Sequence, residues 1–128
     1  MIEPGAVFEI PVALARPPQI AKQAAPPVRE NRWVIVVSSK ADCRDRYQET
    51  VIVVLCSAQT EYAGRHDVMV REHDGGMART SIAQTDLVFV VMKDALGEER
   101  YRGTVLKDTL IQIRARLADS LGFAGPSA

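Results

Sequence analysis

Short, continuous apolar runs dominate the first two thirds of the chain. They are Val7-Phe8-Glu9-Ile10, Trp33-Val34-Ile35-Val36-Val37, Thr50-Val51-Ile52-Val53-Val54-Leu55-Cys56 and Leu87-Val88-Phe89-Val90-Val91-Met92. Runs this short and this rich in β-branched residues predict strands, and the second and third read as strands covered on both faces. Residues 66–71 form a half-polar strand, closed by the turn signal His73-Asp74-Gly75-Gly76, and residues 81–93 read as one strand-like stretch. Residues 101–105 add a short edge strand. The period then changes. Leu106, Leu110, Ile113, Leu117 and Leu121 fall on one helical stripe, and Gly122 stands where a glycine closes a helix. Strands in series followed by one terminal helix predict a mainly β fold, a small barrel with the helix packed across it.

The stretches between these elements differ in kind. Residues 15–31 carry Pro17, Pro18, Pro26 and Pro27 and no apolar period, which predicts a long loop. Long structureless loops are uncommon inside compact domains and often functional, so ligand contacts are expected there. Residues 38–49 are polar and charged and should cross the surface. No repeat or second composition regime appears, so residues 1–123 are expected to form a single domain and residues 124–128 a flexible tail.

Composition narrows the function classes. The 128 residues carry 16 Lys plus Arg against 16 Asp plus Glu. A net charge of zero argues against a partner held by long-range field alone, although a local basic groove is compatible with it. Aromatics are only 5%, too few for a broad base-stacking platform. No apolar run approaches the roughly 18 residues of a membrane span, and Met1-Ile2-Glu3-Pro4-Gly5 lacks the features of a signal peptide. Cys43 and Cys56 are too few for a disulfide framework. Two free thiols and a cytoplasmic location are expected, one bridge being the alternative.

The order of these parts resembles the MazF/PemK (Kid-like) toxins of bacterial toxin–antitoxin pairs. Gly5-Ala6-Val7-Phe8-Glu9-Ile10 resembles the family's Gly-led first strand. Arg32-Trp33-Val34-Ile35-Val36-Val37-Ser38 resembles its Arg-Pro-(Val)n-Ser strand after a long loop, and residues 50–58 resemble the strand ending Pro-Ile-Thr-Ser. Arg102-Gly103-Thr104-Val105 through Ser120-Leu121-Gly122-Phe123 matches its closing segment, which ends Ser-Leu-Gly-Leu. The resemblance covers nearly the whole chain. It implies an SH3-like barrel of five to six antiparallel strands with a C-terminal α-helix, a homodimer, and cleavage of single-stranded RNA without a metal or other cofactor. It also implies an antitoxin peptide as the neutralising partner.

Carried over residue by residue, the resemblance selects Arg32, Ser57 and Asp86. Attack of a 2′-hydroxyl on the neighbouring phosphate builds negative charge, and a guanidinium at Arg32 is always protonated and able to donate two hydrogen bonds to it. Otherwise Arg32 is a strand-capping surface cation paired with Glu30. Ser57 stands at the family's active-site Thr and keeps the hydroxyl, while a strand-end serine satisfying a turn is the plainer alternative. Asp86 falls on the Asp of the family's Asp-Gln-Ile-Arg segment, where a carboxylate can act as general base. Leu87 and Phe89 depart from the family's Gln and Arg, and losing one phosphate donor typically costs a factor of ~10²–10³ in rate.

Arg16 and Arg29 in the long loop are the expected RNA contacts. Lys22, Lys40, Arg44 and Arg46 read mainly as solubility charge. His66, Asp67, His73 and Asp74 match no zinc spacing, so no metal site is expected. Trp33, where the family has Pro, is expected to be a half-buried strand aromatic. Two functions compete on this reading: a toxin-type endoribonuclease, and a catalytically weakened homologue that binds RNA or an antitoxin. A gyrase-poisoning role, known on the related CcdB-like barrel, is disfavoured because residues 121–128 lack the Trp-containing tail.

Overall fold

The computed structural model of the chain describes residues 2–11 and 31–123. Six strands pair antiparallel in one sheet: β1 (Ala6–Pro11), β2 (Asn31–Val36), β3 (Thr50–Ser57), β4 (Asp67–Val70), β5 (Ser81–Met92) and β6 (Tyr101–Thr104). Their order is β4-β5-β3-β2-β1-β6, so β4 and β6 are open edges. The sheet curls into a half-barrel rather than closing on itself. Two helices complete the described chain, α1 (Lys40–Arg44) and α2 (Lys107–Ser120).

The unbroken apolar runs of β2 and most of β3 arise because that part of the sheet is buried on both sides. Phe8, Ile10, Val34, Val36, Val53 and Leu55 fill a core on one face, together with Cys43 of α1. Val7, Ile35, Val54, Cys56 and Ala83 fill the other, with Ile113 of α2 packed into it. Successive strand residues point to opposite faces, so β1, β2 and most of β3 supply both cores at once, whereas Val88, Val90 and Met92 of β5 stay exposed on the second face. Phe8 and Tyr101 meet edge to face, with ring centroids 5.7 Å apart, and so tie β6 into the first core.

The polar stretch before β3 is more ordered than its composition suggests. Ser39 caps α1 by accepting the Asp42 N–H, and Lys93, just after β5, donates to the Asp42 and Asp45 carbonyls at 2.6 and 2.8 Å. The terminal helix is one residue shorter at each end than its apolar stripe. Leu106 and Leu121 are exposed, whereas Thr109 and Ile113 are buried.

The expected hairpin turn at residues 73–76 has a second task. Leu106, at the N-cap of α2, has no capping side chain of its own. Asp74 supplies one from across the molecule: its carboxylate accepts the Leu106 N–H at 2.7 Å and the Thr109 hydroxyl. Gly75 and Gly76 make that reach feasible. Both have positive φ (64° and 76°), and a Cβ on Gly76 would lie 2.0 Å from the Arg102 carbonyl oxygen. Arg114 pins the helix a second time by donating to the Val37 and Ser38 carbonyls.

Candidate functional site

Arg32 lies near the start of β2 and Ser57 at the end of β3. Because these strands are antiparallel, the two positions fall at the same end of the sheet. The β2–β3 register runs Val36↔Val53, Ile35↔Val54, Val34↔Leu55. Counted back two residues further, it sets Arg32 opposite Ser57. Val34 and Leu55 belong to the first core, so strand alternation directs Arg32 and Ser57 to that same face. Arg32 is half-buried with its Nε enclosed, and its Cα partner on β1 is Ile10, also of the first core.

Ser57 is half-buried, and its Oγ accepts the Gln59 N–H at 3.1 Å. The turn-satisfying role is therefore present. A hydroxyl that accepts one hydrogen bond still has its own O–H to donate, so the two roles are compatible. Cys56, the preceding residue, points into the opposite core. Burial pushes its thiol up to about 12, and burial also raises Cys43. Both cysteines are free and buried, so neither is poised as a nucleophile.

Asp86 stands in a feature that the apolar pattern did not announce. The β3–β5 register changes from Val54↔Val88 to Leu55↔Gln84, which leaves Thr85, Asp86 and Leu87 bulging between two adjacent residues of β3. Thr85 is buried and donates its hydroxyl to the His66 carbonyl, which holds the bulge against the chain entering β4. Asp86 is exposed at the tip. It lies level with Leu55, two to three residues along β3 from Ser57, which is roughly 7–10 Å at ~3.3 Å per residue. Leu87 and Phe89 pack against the first core and present no polar group there.

Other expectations separate cleanly. Trp33 is half-buried on the opposite face, packed against the second core together with Leu110 and Leu117. His66 faces Ser120 at 3.1 Å, Asp67 accepts the Gly64 N–H, and Asp74 caps α2, so these residues serve local structure. Lys40 and Arg44 sit on α1, beyond the opposite end of β2 from Arg32. Arg46 lies over the Tyr47 ring at 4.9 Å and donates to its hydroxyl. Arg16 and Arg29 lie outside the described residues.

An open six-stranded antiparallel half-barrel with a helix on one face is an architecture also found among known proteins. The chain belongs to the family of PemK-like, MazF-like toxins of type II toxin–antitoxin systems, whose model matches residues 7–121. Its fold is similar to an endoribonuclease from a mycobacterial species, at 22% identity and a TM-score of 0.66, covering 97% of this chain and 94% of that one. A mycobacterial endoribonuclease in complex with its cognate antitoxin is similar at 21% identity and a TM-score of 0.65, covering 97% and 96%. MazF in a MazE–MazF structure from Deinococcus radiodurans is similar at 12% identity and a TM-score of 0.67, covering 94% of each chain. None of the curated proteins matches this chain. Among the described residues, no helix is long and apolar enough to cross a membrane.

Proposed function

We propose that this protein is the toxin of a toxin–antitoxin pair and an endoribonuclease that cleaves single-stranded RNA in the cytoplasm without a metal ion. The observation that supports the reading is the antiparallel β2–β3 register, which runs to Val34↔Leu55 and, continued by two residues, brings Arg32 level with Ser57 on the first-core face. The 2′-hydroxyl attacks the adjacent phosphorus, forming a 2′,3′-cyclic phosphate while the 5′-oxygen leaves and takes a proton from solvent. Arg32 stabilises the charge that builds on the non-bridging oxygens, and Ser57 donates to the same group and orients it. Asp86, at the exposed tip of the bulge, takes the 2′-proton as general base. A permanently protonated guanidinium does the work that a metal ion does in other nucleases, so the mechanism needs none. Arg16 and Arg29 contact flanking phosphates, and an antitoxin segment neutralises the toxin by covering the same face.

The protein works as a homodimer. Ile52, Val88, Val90 and Met92 form an uncovered apolar stripe across β3 and β5, with Val90 58% exposed and paired to Ile52. Four large apolar side chains adjacent on one sheet face are the kind of surface that a second subunit covers.

A second reading has its own support. Leu87 and Phe89 put hydrocarbon where the family has Gln and Arg, which favours a weakened homologue that binds RNA or antitoxin without cutting. Incubation of the purified protein with a long single-stranded RNA in the presence of a metal chelator separates the two. The nuclease reading predicts products ending in a cyclic phosphate or 3′-phosphate, and a rate loss of ~10² or more for Arg32→Ala. Undiminished cleavage by that variant removes Arg32 from the mechanism. Absence of products from the wild type, with RNA still bound, establishes the binding module.

A further inference from the structure

We infer that Gln84 and Asp67 form a base-reading subsite beside Arg32 and Ser57. The subsite selects a nucleotide whose Watson–Crick edge sets an exocyclic amino group next to a ring-nitrogen acceptor, as cytosine and adenine do. The inference rests on the RNA-binding part of the proposed function and deepens it; it does not need cleavage.

Strand alternation fixes the face that each residue takes. Cys56, Ala83 and Val68 lie in the second core, so their strand neighbours Ser57, Gln84 and Asp67 turn to the first face. Gln84 has Leu55, a residue of the first core, as its Cα partner on β3 and Asp67 as its partner on β4. Ser57 pairs with Ile82, two residues before Gln84, so Ser57 and Gln84 are diagonal neighbours roughly 7–8 Å apart. Gln84 and Asp67 stand directly opposite, with Cβ atoms about 4.5–5.5 Å apart. One polar residue per strand thus runs from Arg32 on β2 through Ser57 on β3 and Gln84 on β5 to Asp67 on β4. Three strand spacings make that track roughly 14 Å long.

The chemistry changes along the track. Arg32 and Ser57 offer donors, the complement of a phosphate. Asp67 offers only acceptors and repels one. Beyond the local bond from the Gly64 N–H to its Oδ2 at 2.7 Å, its Oδ1 remains for a ligand, and it forms no ion pair with the described residues. Gln84 is half-buried; its side-chain amide makes no hydrogen bond among the described residues, and neither of its polar atoms is enclosed. A carboxylate beside an amide matches a base edge: Asp67 accepts from cytosine N4 or adenine N6, and the Gln84 NH₂ donates to the adjacent ring nitrogen. Uracil and guanine place a carbonyl oxygen where the amino group would be, which sets acceptor against acceptor. An amide alone can rotate to suit either pattern. The carboxylate cannot, so Asp67 fixes the sense of the reading.

The test uses 2′-O-methyl hexacytidylate and hexauridylate, which lack a nucleophilic 2′-hydroxyl and so bind without being cut. Their bases differ only along the edge that the subsite reads. Titrated into the ¹⁵N-labelled full chain, hexacytidylate should shift the Gln84 side-chain NH₂ signals, identified by their loss in Gln84→Met. It should bind about fivefold more tightly than hexauridylate, the low end for a partly exposed base contact. Asp67→Asn, which keeps an oxygen for the Gly64 N–H, and Gln84→Met should each bring the ratio of affinities to about one. Arg32→Ala should weaken both oligonucleotides by the same factor and leave the ratio in place. Equal affinities in the wild type, or a ratio that survives both subsite variants, overturn the inference and leave the nuclease reading standing. A cytidine preference without cleavage of unmodified RNA does the reverse, and failure to bind either oligonucleotide removes both.

Discussion

Asp74 does more for stability than its place in a surface turn suggests. Its two carboxylate oxygens serve the first turn of α2, where the local sequence offers no cap. Asp74→Ala should lower unfolding free energy by about 1–2 kcal/mol, as a lost N-cap does, and Asp74→Asn should recover part of it. Gly76→Ala should cost more, since it combines a left-handed backbone with a Cβ driven into the Arg102 carbonyl. Urea melts of the three variants check the order. The buried Cys56 thiol gives a pH prediction with a definite sign. Its folded pKa, pushed up to about 12 from an ordinary 9.0, means that folding favours the protonated form. The stability it contributes is full below pH 9 and is lost as pH climbs from 9 towards 12. Wild type should therefore lose more stability than Cys56→Ala across that window in urea titrations; equal slopes refute the assignment. Residue chemistry was unevenly legible in the sequence. Arg32 and Ser57 were singled out by the family resemblance alone, since a lone arginine at a strand start and a serine at a strand end read equally well as surface and turn residues. Asp74 could not be assigned its role, since its partner Leu106 is 32 residues away in the chain.

At the scale of elements, all six strands and the terminal helix were located: β2 and β3 by uninterrupted apolar runs that burial on both faces leaves, β4 and β6 by short half-polar stretches bounded by turn signals, and the helix by its change of period. It missed α1, whose Lys-Ala-Asp-Cys-Arg is too short to show a period and is held by Ser39 and Lys93 rather than by its own propensity. It also read through the bulge in β5, since Leu87, Val88, Phe89 and Val90 continue the apolar run after the register has shifted. Thr85 fastens that bulge to the His66 carbonyl. Thr85→Val keeps the shape and removes the hydroxyl, leaving the half-buried His66 carbonyl without that donor, so a loss of about 1 kcal/mol is expected, with Thr85→Ser closer to wild type. Faster amide exchange at Asp86 and Leu87 in Thr85→Val than in Thr85→Ser is the matching local signature. Identical exchange in both variants shows that the bulge is held by packing alone.

The described residues present two faces to partners: the end bearing Arg32 and Ser57, and the apolar stripe across β3 and β5. The nuclease proposal concerns the first, and the dimer proposal concerns the second. Val90→Glu introduces a charge into the centre of the stripe and should shift the sedimentation coefficient from dimer to monomer, whereas an unchanged value moves the interface elsewhere. The stripe was not visible as such in the sequence, because it depends on what α2 leaves uncovered on that face of the sheet. The central claim is that a guanidinium and a hydroxyl on neighbouring strands act on one phosphate, and a double-mutant cycle of RNA cleavage rates tests it most directly. Arg32→Ala and Ser57→Ala should each slow cleavage, and the double variant should be little slower than Arg32→Ala alone, since groups acting on one centre are not additive. Fully additive losses, or cleavage by Ser57→Ala at the wild-type rate, contradict the claim.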